Sequence, residues 1–488
     1  MVRQGKLSAR NRIDMTQGPL FMNILRFILP LIASNLLHQI YHAADIMVVE
    51  LSTEPDAVGA VSSSGSFLNL MVNLFIGFSV GANVVVARFI GAKNSKGTSQ
   101  AMHTAVCMSM LFGVLGAVIG VSLAKPVLVG MGYEGKLLTL ALRYAYIYLA
   151  CMPFAALTTF LSAILQAQGN TKTSLYVLSC TGILNILLNL FFVLVLGFSV
   201  EGVALATAIA NLTSGTVLWF YLSRSQDDFR LSFKKLRIHK EHFWEIARVG
   251  FPAGLQNAMF SLSNILIQSS ILKVNNALTP AGSAYAPIVK GNAAVGSLEG
   301  FIFTALSATT VTASAFTAQN MGAKKPQRVK RALWLICAIS AVISIVMVTF
   351  IVLFRGPLLA LYGVENKSDI LSVLAYDASM KRIIWKFWAF PIFAFMNAFS
   401  GTIRGMGKSA LAALIAFLGT CVFRVVWLYT VFAYFQNQES IYLSYPISWF
   451  VTGACFFVVL VVMLKRKLRD DAADASLENP TEECTKKA

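Results

Sequence analysis

Twelve long apolar stretches divide this chain, and they constrain its fold more than any other feature. A stretch of about 18 or more apolar residues is long enough to cross the hydrocarbon core of a bilayer as a helix. We therefore predict an all-α membrane protein with twelve transmembrane helices, some of them tilted or extended. The predicted spans cover residues 20–50, 57–87, 101–124, 137–165, 173–197, 202–222, 243–272, 285–317, 331–354, 383–403, 409–435 and 440–464.

The composition agrees with a chain whose solvent is lipid. Hydrophobic residues make up 57% of the 488 residues and charged residues only 13%, against about 25% charged residues in soluble domains. The net charge is +18. If the N-terminus is cytoplasmic, the segments on that side hold 28 Lys and Arg and the other side holds 10. This bias predicts a multi-pass protein of the cell membrane with both termini cytoplasmic, and it explains the charge without a nucleic-acid partner.

The two halves of the chain repeat each other. Pro30 and Asn35 match Pro252 and Asn257, and two further motifs recur in the same order. Because each half holds six spans, the halves share one orientation, as in a parallel repeat about a pseudo-two-fold axis along the membrane normal. The predicted organisation is an N-terminal tail (1–18), an N-lobe (19–222), a cytoplasmic connector (223–242), a C-lobe (243–466) and a C-terminal tail (467–488) that we expect to be disordered from Asp470 onwards.

Several motifs are spread along the spans. They are Gln39-Ile-Tyr-His-Ala-Ala-Asp45 in span 1, the Gly-Ala-Lys loops at 91–93 and 322–324, Gln166-Ala-Gln-Gly-Asn-Thr-Lys172 after span 4 and Ile403-Arg-Gly-Met-Gly407 after span 10. Together these motifs make the chain similar, over residues 20–465, to the multidrug and toxic compound extrusion (MATE) transporters. The resemblance implies two six-helix lobes around a central cleft. It also implies multidrug efflux, in which export of organic cations is coupled to entry of Na⁺ or H⁺, without a bound cofactor or metal and without enzymatic activity. We expect a monomer in the bilayer.

Asp45 is conspicuous because most of the predicted spans carry no charge, and an ionisable side chain inside a membrane is by default a functional candidate. At 1.5 Å per residue, Asp45, Asn189 and Thr207 lie about 10, 12 and 8 Å from the outer ends of spans 1, 5 and 6, and Asn185 about 18 Å from the end of span 5. A carboxylate with amide and hydroxyl oxygens suits a hard monovalent cation. The alternative is a packing role in which Asp45 is hydrogen-bonded to Asn185.

The family resemblance assigns cation coupling to the same positions: Asp45 in span 1, Asn185 and Asn189 in span 5, and Thr207 in span 6. The family often has Asp where this chain has Asn189. The missing charge favours a single titrating carboxylate over a Na⁺ site. His38 and His42 lie on the same face of span 1 as Asp45, so they are candidates for a proton relay or, alternatively, polar packing residues.

The C-half has no acid at the position of Asp45, which aligns with Ile267 or Gln268, so ion coupling is expected in the N-half. Arg424 lies in the middle of span 11, where it can pair with a carboxylate such as Glu299, bind an anionic group, or be satisfied by backbone carbonyls. Candidates for lining the substrate cleft are Asn35, Gln39, Gln256, Asn257, Glu299 and Arg424.

Three classes of function are alternatives for a chain with these features. The first is a cation-coupled antiporter for organic cations. The second is a lipid-linked saccharide flippase of the same superfamily, which needs a cationic cleft for pyrophosphate. The sequence offers Arg424, Lys290 and Lys386 for such a cleft. The third, a channel or receptor, is disfavoured because no pore loop is recognisable. The chain contains no GxxxxGK[ST] motif, so ATP is not the expected energy source.

Overall fold

The protein is described by a computed structural model over residues 12–50, 57–130, 133–225, 229–279, 286–365 and 369–478. These residues form helices joined by short turns. The N-half contains α1 (Leu20–Glu50), α2 (Ala57–Gly91), α3 (Ser95–Gly130), α4 (Gly135–Ala150), α5 (Met152–Ala167), α6 (Thr171–Val195) and α7 (Val200–Ser223). The C-half contains α8 (Lys240–Leu278), α9 (Pro287–Gly322), α10 (Pro326–Leu353), α11 (Arg355–Ala360), α12 (Ile370–Lys386), α13 (Phe390–Gly405), α14 (Ser409–Phe435) and α15 (Gln438–Glu478).

The helices account for twelve spans, as predicted. Ten helical segments within the described residues are long and apolar enough to cross a bilayer, and α4 with α5, bent by 49°, makes an eleventh. The twelfth is α8, a helix of 39 residues. Its middle carries the amides of Gln256, Asn257, Asn264 and Gln268, all of which line a cavity. These amides lower the mean hydropathy of α8, and they face the cavity.

The internal repeat is visible in the backbone. Lys93 and Lys324, in the two Gly-Ala-Lys loops, both have a left-handed conformation, with φ of 52° and 55°. Gly169 and Gly407, after the fourth span of each half, have φ of 77° and 80°. Spans 4 and 10 are both interrupted before a helix that carries Pro in its first turn, α5 and α13. Equivalent sequence motifs therefore form equivalent turns in the two lobes.

The two lobes pack closely on the side of the molecule that carries both ends of the described chain. There α2 crosses α8 at glycines: a Cβ on Gly77 would lie 2.2 Å from the backbone of Gly254. Gly18, before α1, and Asp471, in α15, line one surface depression, which places the chain ends together. Backbone contact without side chains is what glycine allows at a helix crossing in a membrane.

One predicted boundary needs correction. The last helix continues to Glu478, beyond the predicted lobe end at 466 and through the first part of the tail that was expected to be disordered; residues 479–488 lie outside the described part. The N-terminal segment is docked from Arg12 onwards. Met15 is buried, and its carbonyl accepts hydrogen bonds from Asn320 at 3.1 Å and from Arg328 at 3.1 Å. Residues 1–11 lie outside the described part.

Candidate ion-coupling and substrate sites

The predicted coupling residues of the N-lobe meet around one buried carboxylate. Asp45 on α1 is 8% exposed, and Asn189 on α6 is fully buried. The Asn189 amide donates to Asp45 Oδ1 at 2.5 Å. With its amide nitrogen turned toward Asp45, Asn185 donates to the same oxygen at 3.0 Å and accepts from the backbone N–H of Thr207 at 3.3 Å. The structure therefore brings Asp45, Asn185, Asn189 and Thr207 together.

The close approach of α1 to α6 positions this cluster. The ring of Tyr41, one turn before Asp45, lies on Gly182, where a Cβ would fall 1.8 Å from the ring. The Tyr41 hydroxyl donates to the carbonyl of Ser179 at 3.2 Å. A larger residue at 182 would hold the helices apart, so this glycine sets the distance between Asp45 and the amides of α6.

Among the described residues, the Asp45 carboxylate has no cationic partner. No Lys or Arg of the described residues forms a salt bridge with it. Tyr144 and Tyr148 on α4 interact electrostatically with Asp45. The sequence did not single them out, because tyrosine is common in apolar spans. Asn189 Oδ1 is buried and lacks a hydrogen-bond partner among the described residues, so it is an unused oxygen beside the carboxylate.

The two histidines of the predicted relay do not complete a hydrogen-bonded path. His38 and His42 are exposed on α1. No hydrogen bond between described residues joins either ring to Asp45. A relay through them therefore needs intervening water, and the relay stays a prediction. Within the described residues, no three His, Cys, Asp or Glu side chains are grouped as ligands for a metal ion.

A second site is a cavity of about 660 Å³ in the C-lobe. Four of the predicted cleft residues line it: Gln256, Asn257, Glu299 and Arg424. The other two lie between α1 and α9. The Asn35 amide donates to Ser307 Oγ at 3.0 Å, and Gln39 lies beside Gly300. Asn35 and Gln39 thus join the N-lobe to the C-lobe.

Glu299 is held by two cations that sequence reasoning did not pair with it. Arg382 donates from Nε and Nη2 to the two carboxylate oxygens at 3.0 and 2.7 Å, and Lys386 donates from Nζ at 2.6 Å. Of the three alternatives for Arg424, pairing with Glu299 is not the one observed among the described residues. Arg424 donates from Nε to Ser448 Oγ at 3.0 Å, and its guanidinium lies 4.2 Å from the ring centre of Tyr445.

Arg382 was overlooked because span 10 was predicted to begin at 383, which placed it outside the span. Lys386 was named only as a candidate for a cationic cleft and not as a partner of Glu299. The helix in fact begins at Ile370. The spacing i, i+4, which puts both side chains on one helix face, was the available signal.

Comparisons with known proteins found a family profile, relatives and solved structures that match this chain. The MatE family profile matches residues 30–191 and 252–430. The chain is 27% identical over 390 residues to the probable multidrug resistance protein YoeA of Bacillus subtilis, covering 78% of this chain and 80% of that protein.

Two solved structures show the same fold. One is an outward-facing multidrug resistance MATE family transporter of the MOP superfamily, with a TM-score of 0.83 and 19% identity over 94% of this chain and 98% of that one. The other is a MOP superfamily transporter from Pyrococcus furiosus, whose binding pocket of reverse polarity suggests a different function for that protein. Its TM-score is 0.84 with 19% identity over 93% and 98% of the two chains.

Proposed function

Because the chain belongs to the MatE family, we propose that it is a secondary active antiporter that exports drug-like organic molecules in exchange for H⁺ or Na⁺ bound at Asp45. Organic cations are the substrates proposed from the family resemblance.

The contrast between the two buried carboxylates carries this proposal. Glu299 is neutralised by Arg382 and Lys386, whereas no described Lys or Arg forms a salt bridge with Asp45. A carboxylate in a membrane interior is costly unless a cation or proton joins it. Asp45 is therefore the carboxylate with room for an exchangeable positive charge.

Loading of Asp45 changes the bonds that hold α1 to α6. The ionised carboxylate accepts from the amides of Asn185 and Asn189. A protonated carboxyl has one donor and fewer acceptor sites, so it can donate to the unused Asn189 Oδ1. Na⁺ would instead be bound by the carboxylate and that amide oxygen. Either event repositions α1, which also contacts α9 of the C-lobe through Asn35. In this way the state of the N-lobe site is transmitted between the lobes.

Efflux from proteoliposomes under an imposed pH gradient or an imposed Na⁺ gradient tests the proposal. We expect gradient-driven efflux of a cationic dye by the wild type and its loss in Asp45→Asn, because the amide neither ionises nor exchanges a proton. Glu201→Gln is the matched control, since Glu201 forms a partly exposed salt bridge with Arg143. Undiminished gradient-driven efflux by Asp45→Asn would contradict the proposal.

A lipid-linked saccharide flippase is the second candidate function. The observation that favours it is the cationic character of the C-lobe cavity, which is lined by Arg382, Lys386, Arg404 and Arg424. These are the groups that a pyrophosphate would need.

A further inference from the structure

The charges that line the C-lobe cavity do not balance. Among the described residues the lining holds four cations, Arg382, Lys386, Arg404 and Arg424, and one carboxylate, Glu299. Arginine stays protonated in proteins. The three arginines therefore leave a surplus of two positive charges over Glu299, or three with Lys386 charged.

The surplus is concentrated on Arg404 and Arg424. Arg382 is already paired with an anion, since Nε and Nη2 bind Glu299 and Nη1 donates to the carbonyl of Asn292 at 3.1 Å. Arg404 is 6% exposed and donates from Nη2 to Gln256 at 2.6 Å, and its Nε is buried without a partner in the described chain. Arg424, 4% exposed, has a single hydrogen bond to the described residues, from Nε to Ser448.

Such charges are expensive in the interior of a membrane protein. A buried cation without a counter-charge costs several kcal/mol of desolvation that only an anion or strong hydrogen-bond acceptors repay. The residues near Arg404 and Arg424 supply one amide, one hydroxyl and the ring of Tyr445. The geometry thus retains two guanidinium groups beside an open space of about 660 Å³.

The rest of the wall is aromatic and amide-rich. Phe303, Phe393 and Trp449 line the same cavity, and their rings pack together with centroids 5.0 to 6.1 Å apart. A volume of this size accommodates a drug-sized molecule. One part of the cavity thus suits an anionic group and another suits an apolar or aromatic body.

We propose that the C-lobe cavity binds amphipathic organic anions whose carboxylate or phosphate groups pair with the buried guanidinium groups of Arg404 and Arg424. This inference rests on the proposed function only in taking the molecule bound there to be cargo. It adds anionic and zwitterionic molecules to the substrate class, with the anion held in the C-lobe and the coupling ion held at Asp45.

Equilibrium binding of two xanthene dyes of similar size tests the proposal without any gradient. The purified full chain is placed in nanodiscs of zwitterionic lipid, and fluorescence polarisation is followed for fluorescein, an anionic carboxylate, and for rhodamine 123, a cation. We expect fluorescein to bind. Arg404→Gln and Arg424→Gln should each weaken it about 10-fold or more, because a hydrogen bond to a charged group contributes about 1.5–3 kcal/mol. Arg355→Gln, at an exposed arginine of the same lobe, should leave binding unchanged.

The conservative variants Arg404→Lys and Arg424→Lys should retain more affinity than the Gln variants, and size-exclusion profiles report folding of each protein. Weak fluorescein binding by the wild type would overturn the proposal. So would equal binding by the wild type and by folded Arg404→Gln and Arg424→Gln.

Nanodiscs with an anionic phospholipid distinguish the source of the anion. Displacement of fluorescein by that lipid assigns the site to a lipid headgroup, and undiminished binding assigns it to a free organic anion. Fluorescein binding should persist in Asp45→Asn, so failure of ion coupling is told apart from failure of the anion site.

Discussion

Two buried carboxylates of the same chemical type have opposite surroundings. Glu299 lies in a cluster with Arg382 and Lys386, while Asp45 accepts hydrogen bonds from the amides of Asn185 and Asn189. A fixed ion pair gives up its charge only at a large cost, whereas a carboxylate that is bound by neutral donors exchanges protons or ions more readily. The partner residues therefore distinguish the ion-paired Glu299 from Asp45, the acid that we propose for ion coupling.

Glu299→Gln should destabilise the protein. Removing the carboxylate leaves Arg382 and Lys386 buried without a counter-charge, which costs about 3–5 kcal/mol for a broken buried pair. Thermal unfolding of the detergent-solubilised chain measures this as a lower midpoint. Asp377→Asn is the control, because the pair of Asp377 with Lys381 is partly exposed and such pairs contribute about 0–1 kcal/mol. Equal midpoints for the two variants would show that the Glu299 cluster is not stabilised by its ion pairs.

At the scale of single elements, small residues decide how closely the helices approach. Gly182 lets the Tyr41 ring lie against α6, and Gly77 lets α2 meet α8. Without a strong hydrophobic drive between helices in lipid, association depends on packing and interhelical hydrogen bonds. Each of these glycines therefore has an effect beyond its own volume, because it sets the spacing of the polar groups on the neighbouring turns.

Gly182→Leu should impair coupling more than it impairs folding. The added side chain collides with the Tyr41 ring, moves α1 away from α6 and separates Asp45 from the amides of Asn185 and Asn189. We expect gradient-driven efflux to fall toward the level of Asp45→Asn, measured in proteoliposomes with equal amounts of protein. Gly130→Leu is the matched control, because a Cβ at Gly130 meets no atom within 4 Å. Normal efflux by Gly182→Leu would show that the α1–α6 spacing does not control the site.

At the scale of the whole molecule, the lobes are joined where the chain ends lie. The α2–α8 crossing is extended there by the salt bridge of Arg88 with Glu245 at 2.8 Å and by the hydrogen bond from Gln319 to the carbonyl of Ala167 at 2.6 Å. The predicted connector packs onto the N-lobe, since the backbone N–H of Ser232 donates to His103 at 3.1 Å. Closing one side of a two-lobed transporter is one half of an alternating-access cycle.

Gly77→Leu should prevent this closure and abolish transport. The side chain cannot fit against Gly254, so α2 and α8 must separate on the side of the chain ends. Val80, one turn further along α2, lines the C-lobe cavity. A membrane-impermeant maleimide added from that side should label the V80C protein that also carries Gly77→Leu faster than the protein with V80C alone. The chain without V80C measures the labelling of the native cysteines. Equal labelling rates together with normal efflux would contradict a role for the crossing in closure.

The spans and the Asp45 cluster are the parts of the structure that could be predicted from the sequence. Apolar length identified the helices, the recurring motifs identified the two lobes, and the scarcity of charge in the spans singled out Asp45. Because Asn189 and Thr207 lie at depths similar to that of Asp45 in their own helices, the sequence predicted that the three residues meet, with Asn185 one turn away. These inferences depend on distance along a helix, which a fixed rise per residue makes readable. The break at Cys151 and the extension of the last helix to Glu478 were missed because helix ends depend on local packing.

The sequence by itself determined that this chain is a twelve-span, two-lobed membrane protein with one exceptional acid in its first helix, because apolar length, repetition and charge rarity are properties of the chain. Only the tertiary structure decided that Glu299 is paired with Arg382 and Lys386, that Arg404 and Arg424 lack a carboxylate among the described residues, and that Asn35 joins the lobes. These facts depend on contacts between helices that are distant in the sequence. The spacing of residues along one helix does not indicate which face of a neighbouring helix those residues contact.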